Sequence, residues 1–462
     1  MKYISTRGHC SPKNFSQVLL KGLAGDGGLF VPDQLPEFDK KTLIRFRQLP
    51  YNELAAEILT PFTTNCIDPI QLRHIIDKSY QNFTHKSVAP LQQMDHNRWI
   101  LELFHGPTLA FKDFALQLLG NLLDHELAIR NKKAIILAAT SGDTGSAAIE
   151  GCRHSDYLDI VILHPEDKVS DIQRRQMTTA LDTNIHNIAV KGNFDDCQSL
   201  VKQCFMDQSF LSENTQLIAV NSINWVRIMA QTVYYFYAAL ALGSPARDIT
   251  FSVPTGNFGN VFAGYIAQRM GLPIKKLIVA TNQNDILHRF FQHNDYQLYP
   301  LQHTLSPSMD IMIANNFERL LFDLLDQDGK AVNLLMQTFS QSGKINIPST
   351  VQNRAKLLFD SAMINDQQTI ETITRLHKVT GYLVDPHTAT AVQALEQVHH
   401  DVDTAQVILA TAHPVKFPGA IRQAHLPHPE LPPRLQNLMT RTERYQKISN
   451  DLASLKHLLQ NI

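Results

Sequence analysis

Short apolar segments recur along this chain from residue 98 onward, and helical patterns follow several of them. These segments are nearly continuous in apolar residues and do not alternate with polar ones. Such strands are typical of a parallel sheet that is covered on both faces. The strand candidates are residues 99–104, 134–139, 159–163, 185–190, 217–220, 249–253, 276–280 and 406–411. The helix candidates are residues 114–123, 145–152, 195–206, 226–242, 258–270 and 369–380. An α/β protein with two parallel sheets is therefore predicted.

Length and composition narrow the class of protein further. The chain has 462 residues, which exceeds the roughly 100–200 residues of one ordinary domain. Hydrophobic residues make up 44% and charged residues 18%, a balance that supports sizeable buried cores. The net charge of -1 gives no electrostatic basis for binding nucleic acid. No apolar stretch is long enough for a transmembrane helix, so no membrane partner is expected.

The N-terminus and the cysteines favour the cytoplasm. The first residues lack the apolar segment of a signal peptide. The five cysteines are scattered and form no CxxC motif, which fits a reducing compartment. The 20 histidines include no HExxH motif, and the pairs His399–His400 and His425/His428 lie in polar, proline-rich surroundings. No metal site is therefore expected.

Lys112 stands at an unusual place, at the end of an apolar approach and at the start of a helical pattern. Apolar surroundings and a helix N-terminus both disfavour the ammonium form of a lysine. An uncharged amine of this kind is suited to form a Schiff base with an aldehyde. The alternative is a lysine with a buried stem whose ammonium group reaches water.

Two predicted strands lead into glycine-rich loops before a helix, and in such folds ligands bind where strands end. In residues 138–148, the backbone amides and the hydroxyls of Ser141, Thr144 and Ser146 would converge at a helix N-terminus. That arrangement suits a carboxylate or a phosphate. A well-capped turn explains the same residues, because Ser, Asp and Thr are ordinary N-cap residues.

The second loop, residues 251–260, has glycines that let the backbone approach a phosphate. It lacks both the Walker lysine and the GxGxxG spacing, which favours a phosphorylated cofactor that is kept rather than hydrolysed. A third segment, residues 407–417, ends a buried strand at Thr411 and by itself favours a structural role. Together, the lysine, the phosphate loop, the strand-end hydroxyl and the anion-binding turn match the needs of pyridoxal phosphate (PLP).

These segments resemble those of the threonine synthases. Residues 105–116 are similar to the PLP-lysine segment, 141–145 to the SGDTG turn, 255–260 to the phosphate loop and 409–417 to a TAHPxKF-type strand end. The resemblance extends over the whole chain and includes residues 5–8, 25–32, 221–225 and 304–310. It points to the longer class, which has an N-terminal extension.

The resemblance implies fold type II of the PLP enzymes, which is tryptophan synthase β-like, with the active site between two parallel-sheet α/β domains. Residues 1–95 would form an N-terminal region. Residues 96–125 and 235–462 would form the larger, PLP-binding domain, and residues 126–234 the smaller α/β domain.

The resemblance also implies roles for individual residues. Lys112 would carry PLP and act as the catalytic residue, and Thr411 would hydrogen-bond the pyridine nitrogen. The residues expected to hold the cofactor phosphate, largely through backbone amides, are Gly256, Asn257, Phe258, Gly259 and Asn260. The substrate-binding residues would be Ser141, Asp143 and Thr144, with no contact to the cofactor O3′ assigned to Asp143. Family context suggests Lys416 and Arg227 for the substrate phosphate.

One position departs from the family pattern, because many relatives carry Asp where this chain has Asn260. If the backbone N–H is the phosphate ligand, Asn serves equally well and removes a negative charge. If the carboxylate has a role in those relatives, that role is in doubt here.

The implied reaction converts O-phospho-L-homoserine and water to L-threonine and phosphate, the last step of threonine biosynthesis. It proceeds by PLP-dependent γ-elimination and β-addition of water, and the enzyme is expected to be a monomer or a homodimer. One alternative is a PLP-dependent phospholyase that gives 2-oxobutanoate. Another is a non-catalytic PLP-fold binding protein, against which Lys112, the two loops and Thr411 argue.

Overall fold

A computed structural model describes residues 1–140, 142–167, 169–212, 214–398 and 403–462. Its strands, in chain order, are β1 (Tyr3–Ser5), β2 (Phe30–Pro32), β3 (Leu91–Gln93), β4 (Arg98–Glu102), β5 (Lys133–Ala139), β6 (Leu158–Pro165), β7 (Ile185–Lys191), β8 (Thr215–Ile218), β9 (Ile249–Pro254), β10 (Ile274–Thr281), β11 (Tyr296–Gln297), β12 (Lys344–Ile345), β13 (Phe359–Met363), β14 (Ala405–Ala410) and β15 (Gln446–Ser449).

The helices are α1 (Phe15–Lys21), α2 (Lys40–Phe46), α3 (Tyr51–Leu59), α4 (Pro69–Tyr80), α5 (Lys112–Arg130), α6 (Asp143–Cys152), α7 (Asp171–Thr178), α8 (Phe194–Met206), α9 (Trp225–Ala241), α10 (Gly259–Arg269), α11 (Ile286–His293), α12 (Phe317–Leu324), α13 (Gly329–Ser342), α14 (Ser349–Leu358), α15 (Asp366–Thr380), α16 (Pro386–Gln397), α17 (Pro418–Gln423) and α18 (Leu452–Gln460). Within the described residues, none of these helices is both long and apolar enough to cross a membrane.

Two parallel sheets organise the molecule, as the sequence predicts. The larger has the strand order β13-β10-β9-β14-β4-β3 and is parallel except for β3, which runs antiparallel to β4. The smaller has the order β15-β7-β6-β5-β8 and is parallel throughout. Every residue of β9 and of β14 is buried, including the polar Thr250, Ser252 and Gln406, as expected for central strands covered on both faces.

The C-terminal segment contributes to both sheets. Residues 235–462 are predicted from sequence to belong with the larger sheet, yet β15 pairs with β7 in the smaller one. Leu455 and Leu459 of α18 pack into the apolar cluster of the smaller sheet, beside Cys197 and Cys204 of α8. The domain borders proposed from sequence stay a prediction.

The N-terminal region packs onto the helices that flank the larger sheet. Tyr3 lies in the same core cluster as Trp225 of α9, and its hydroxyl donates to the carbonyl of Phe62 at 2.7 Å. Arg7 forms a two-pronged pair with Glu318 at the start of α12, with both N···O distances at 3.1 Å. This region is therefore part of the main core and not a separate appendage.

Candidate active site

Lys112 is the first residue of α5, and the loop before it is bound to the end of β14. The Phe111 amide donates to the Thr411 carbonyl at 2.8 Å, and the His413 amide donates to the Leu109 carbonyl at 3.0 Å. These two bonds bring Lys112 beside Thr411, although the two lie far apart in the sequence. Their roles on one ligand stay a prediction.

A buried carboxyl, Asp113, shapes the same loop. It accepts the amide of Thr108 at 2.8 Å and the Thr108 hydroxyl at 2.7 Å. Burial raises the pKa of Asp113 to about 6. The Thr108 carbonyl in turn accepts from Lys416 Nζ at 2.8 Å and from Gln176 of α7 at 3.1 Å. The loop before Lys112 is thus bound both by Lys416, which follows β14 of the larger sheet, and by Gln176 of α7.

Asp143, at the start of α6, is the centre of the polar contacts near Lys112. Its Oδ1 accepts from Lys416 Nζ and from Gln173 Nε2, each at 2.8 Å. Its Oδ2 accepts from the Ser308 hydroxyl at 3.2 Å and lies 3.6 Å from Lys112 Nζ. Burial alone would raise the pKa of this carboxyl, but the two lysines hold that pKa well below its ordinary value. Asp143 is therefore ionised and can only accept hydrogen bonds.

The Lys112 amine has a lowered pKa, in the direction that the sequence predicts. Burial is the largest cause, and Arg227 and Lys416 add to it, while Asp143 opposes it. The Lys112 side chain keeps 14% of its surface exposed. Its neighbours are charged rather than purely apolar, which the local sequence does not reveal.

The predicted phosphate loop joins β9 to α10. Phe258 is the N-cap of α10 and adopts a left-handed conformation with φ of 64°. Gly256 packs closely against a second loop, because a Cβ there would lie 3.0 Å from the Ser308 carbonyl oxygen. The Phe258 amide donates to the Gly256 carbonyl at 2.8 Å, and the Asn257 carbonyl accepts the amide of Asn316 at 3.1 Å. The Phe258 amide is thus engaged within the loop itself.

The two polar atoms of the Asn260 side chain differ in their hydrogen bonding. Its Oδ1 accepts from the hydroxyl of Tyr234 at 2.6 Å and lies 3.0 Å from that of Tyr235. Its Nδ2 is buried and has no hydrogen-bond partner among the described residues. A buried donor of this kind is costly unless a ligand accepts from it.

The first glycine-rich turn is partly closed on itself. The Thr140 hydroxyl accepts from the amides of Gly142 and Gly145, each at 3.0 Å. The Ser146 hydroxyl donates to the Asp143 carbonyl at 3.2 Å, so it does not point to an anion as expected. Thr144 is partly exposed at the start of α6, and Ser141 lies outside the described residues.

Arg227 is a second buried cation near the amine, on α9. Its Nη1 donates to the Val220 carbonyl at 3.3 Å, while its Nε has no partner within the described residues. Burial lowers the pKa of its guanidinium to about 10. The side chain remains a cation at neutral pH and has a donor to offer.

Family models match most of the chain. The model of the threonine synthase N terminus matches residues 2–80, that of pyridoxal-phosphate dependent enzymes residues 86–335, and that of the threonine synthase C-terminal region residues 388–459. The chain belongs to the threonine synthase family. A threonine synthase of Pseudomonas aeruginosa is 55% identical to it over 457 residues, which are 99% of this chain and 97% of that protein.

Solved structures of the threonine synthase family agree with the fold. A PLP-bound threonine synthase from Brucella melitensis superimposes with a TM-score of 0.97 and 46% identity, covering 100% of this chain and 99% of that chain. A yeast threonine synthase gives a TM-score of 0.94 with 38% identity, covering 99% and 98%. The predictions of the family, the fold type, the PLP cofactor and threonine synthase activity are confirmed. The chain is a PLP-dependent lyase.

The residues present fit this cofactor. Lys112 offers an amine with a lowered pKa, Asn260 offers an unpartnered buried donor, and Gly256 leaves no room for a side chain where its loop packs. Sequence motifs had pointed to all three. They had not pointed to Gln173 or Ser308 as neighbours of Asp143, because neither lies within the motif that carries Asp143. Ser308 belongs to a segment that resembles the family, but that resemblance carried no role.

Proposed function

We propose that Lys112 holds PLP in this chain and moves the protons that convert O-phospho-L-homoserine and water to L-threonine and phosphate. The observation that carries the proposal is the Lys112 amine, with a lowered pKa, 3.6 Å from an ionised Asp143 where the strand-end loops meet. Membership in the threonine synthase family supports the reaction. PLP, when bound, supplies an acceptor for the electron pair that remains when a carbon-bound proton of the substrate is removed.

Lys112 acts as the general base and then as the general acid. An amine whose pKa is lowered by burial is uncharged more often and can take the Cα proton of the substrate. Removal of a Cβ proton then allows phosphate to leave Cγ, and the same nitrogen can return a proton at Cγ. The hydroxyl of water then adds at Cβ, and return of a proton to Cα completes L-threonine.

Asp143 supports these proton transfers from one side. Because it stays ionised, it stabilises the Lys112 ammonium each time the amine gains a proton. Lys416 binds the other oxygen of Asp143, Oδ1, at 2.8 Å and offsets part of the negative charge of the carboxylate. Asp143 therefore does not stabilise the Lys112 ammonium so strongly that the proton cannot leave. The expectation that Asp143 binds the substrate stays a prediction, and these contacts favour a place beside the amine.

The phosphate groups have separate candidate ligands. Asn260 and the loop amides from Gly256 onward, apart from the engaged amide of Phe258, would hold the cofactor phosphate, and Thr411 would contact the pyridine nitrogen. Arg227, with its unpartnered buried Nε, is the stronger candidate for the leaving phosphate. Lys416 is already engaged twice, by Asp143 and by the carbonyl of Thr108. Ser141 and Thr144 remain the predicted ligands of the substrate carboxylate.

Lys112→Ala tests the proposal. We expect the purified protein to show the absorbance band of lysine-bound PLP and to release phosphate from O-phospho-L-homoserine with L-threonine as co-product. Lys112→Ala should lose the band and reduce kcat by at least about a thousandfold, because base and tether are removed together. Lys41→Ala, an exposed lysine, should change neither. Full activity of Lys112→Ala would refute the role of Lys112, and 2-oxobutanoate as the product would refute the synthase reaction.

We also propose that the enzyme works in the cytoplasm, as a monomer or homodimer. All five cysteines carry free thiols, which suits a reducing compartment. Sedimentation of the purified protein would give its oligomeric state.

A further inference from the structure

Ser308 lies where the phosphate loop, Asp143 and Lys112 meet. Its hydroxyl donates to Asp143 Oδ2 at 3.2 Å, and the same oxygen lies 3.6 Å from Lys112 Nζ. Its carbonyl oxygen lies against Gly256, within 3.0 Å of where a Cβ would be. Ser308 therefore links the larger sheet's loops to the carboxylate on α6.

A buried histidine, His387, fixes the backbone of Ser308. The Ser308 amide donates to His387 Nε2 at 3.1 Å, so this nitrogen carries no proton. The proton is then on Nδ1, which lies 2.6 Å from Asp385 Oδ2. Asp385 is fully buried and also accepts the amides of His387 at 3.0 Å and Thr388 at 3.1 Å, as the N-cap of α16. The histidine is thereby fixed in one tautomer and one orientation.

His387 also supports the other side of Asp143. Its ring packs edge-on against Phe417, with 4.7 Å between centroids. Phe417 follows Lys416, whose Nζ binds Asp143 Oδ1 at 2.8 Å. His387 therefore contacts Ser308, which binds Oδ2 of Asp143, and the residue next to Lys416, which binds Oδ1.

We propose that Ser308, fixed by the His387–Asp385 pair, is a positioning residue that governs how strongly Asp143 holds a proton on Lys112. The Ser308 hydroxyl shares Oδ2 with the amine and so reduces the negative charge that the amine meets. The other charged groups that face Lys112 are Arg227 and Lys416, and neither contacts Ser308 by a hydrogen bond in the described residues. This inference rests on the proposed role of Lys112 as the group that moves the proton.

Competitive labelling of the cofactor-free full chain tests the inference directly. Acetic anhydride labels uncharged amines, and mass spectrometry gives the labelled fraction of Lys112 at each pH, with exposed Lys41 as the internal reference. In Ser308→Ala the Lys112 ammonium faces an Oδ2 that no longer accepts from Ser308. The pH of half-labelling should therefore rise by about half a unit, in line with the loss of one charge-assisted hydrogen bond. Lys41 should not change.

Three variants provide the controls. Ser308→Thr keeps the hydroxyl and should restore the half-labelling pH of the parent. Ser306→Ala removes a hydroxyl from the same loop, but that hydroxyl accepts from Asn282 at 3.0 Å and makes no contact with Asp143 in the described residues, so no change is expected. Ser308→Cys nearly keeps the volume and weakens the donor. It should give a shift of the same sign and serves if Ser308→Ala does not fold.

The PLP-loaded enzyme supplies an independent measurement. The acid limb of kcat reports the base in the enzyme–substrate complex, and in Ser308→Ala it should move to higher pH by the same half unit or so. A purely structural role would lower kcat equally at every pH. An unchanged half-labelling pH in Ser308→Ala, with a parent-like unfolding temperature, would overturn the inference. Activity in Lys112→Ala would instead overturn the proposed function, so the two failures are distinguishable.

Discussion

At the scale of the residue, Asn260 connects the larger sheet's helices to the phosphate loop. Tyr234 and Tyr235 occupy its Oδ1, whereas its buried Nδ2 has no partner in the described residues. An unpaired buried donor costs about 1–3 kcal/mol, so a phosphate acceptor at this point would stabilise the bound state. Asn260→Asp should weaken PLP binding about tenfold, because a carboxylate offers no donor and repels the phosphate. Fluorescence titration of the cofactor-free protein measures this affinity.

An unchanged PLP affinity in Asn260→Asp would mean that the backbone N–H alone contacts the phosphate, which is the other possibility that the sequence leaves open.

The individual site residues also show what local sequence patterns can predict. Lys112 and Thr411 stand at the ends of recognisable segments, so their roles follow from neighbours in the chain. Ser308 and His387 reach the site only through folding. Ser308 is 165 residues from Asp143 in the sequence, so no local pattern predicts the contact between them.

At the scale of the element, the start of α12 holds the phosphate loop in place. Arg319 is completely buried and donates to the carbonyls of Phe30 at 3.1 Å and Ile223 at 2.5 Å, and to Asn316 Oδ1. The Asn316 side-chain amide, thus oriented, donates to the Asn257 carbonyl at 3.1 Å. One guanidinium therefore joins β2, the segment before α9 and the phosphate loop.

Arg319→Met tests this element. It should lower the free energy of unfolding by about 3 kcal/mol, because three buried or partly buried acceptors lose their donor. It should also weaken PLP binding, because Asn316 is no longer oriented toward Asn257. Arg319→Lys should give intermediate values, since an ammonium cannot reproduce the planar fork. Denaturant unfolding and PLP titration measure the two effects. If Arg319→Met is destabilised but binds PLP as tightly as the parent, the phosphate loop does not depend on the hydrogen bonds of Arg319 and Asn316.

The β-strands were most predictable from the sequence where most of their residues are buried. All eight strands predicted from sequence are present within a few residues, and most of them are largely buried, although β8 lies at the edge of the smaller sheet. The strand β13 was missed, since Asp360 and Ser361 interrupt its apolar pattern at the edge of the larger sheet. The strand β15 was missed because it is mostly exposed. Edge strands bury less, so their sequences carry a weaker signal.

At the scale of the whole molecule, the segment between α17 and β15 runs from one sheet to the other. We call residues 424–445 the C-terminal strap. Its Leu435 and Leu438 pack with Leu109 and Val415 of the larger sheet's loops and with Ile172 of α7. Leu109 lies in the loop that leads to Lys112. The strap therefore joins the two halves of the molecule directly beside the reacting amine.

Glu443 fastens the end of this strap, and Glu443→Gln tests how much that attachment contributes. Its carboxylate accepts from Arg174 Nε at 2.9 Å and Nη2 at 3.2 Å, and from the Thr178 hydroxyl at 2.7 Å. At pH 7 we expect a loss of about 1 kcal/mol in the free energy of unfolding, since partly exposed pairs contribute modestly. Asp171→Asn removes a second, exposed partner of Arg174 at 2.7 Å that lies outside the strap, and should be nearly neutral.

The pH dependence of this difference identifies its origin. Hydrogen bonds from Arg174 hold the pKa of Glu443 below its ordinary value of 4.5. A carboxyl with a lowered pKa in the folded state stabilises that state fully above 4.5, and this contribution disappears as the pH falls through the lower folded value. The gap between parent and Glu443→Gln, followed by denaturant unfolding, should therefore be constant from pH 8 to about 6 and narrow below about 4.5. A gap that persists at low pH would assign the effect to packing of the strap, because Gln has nearly the same volume but no charge to lose.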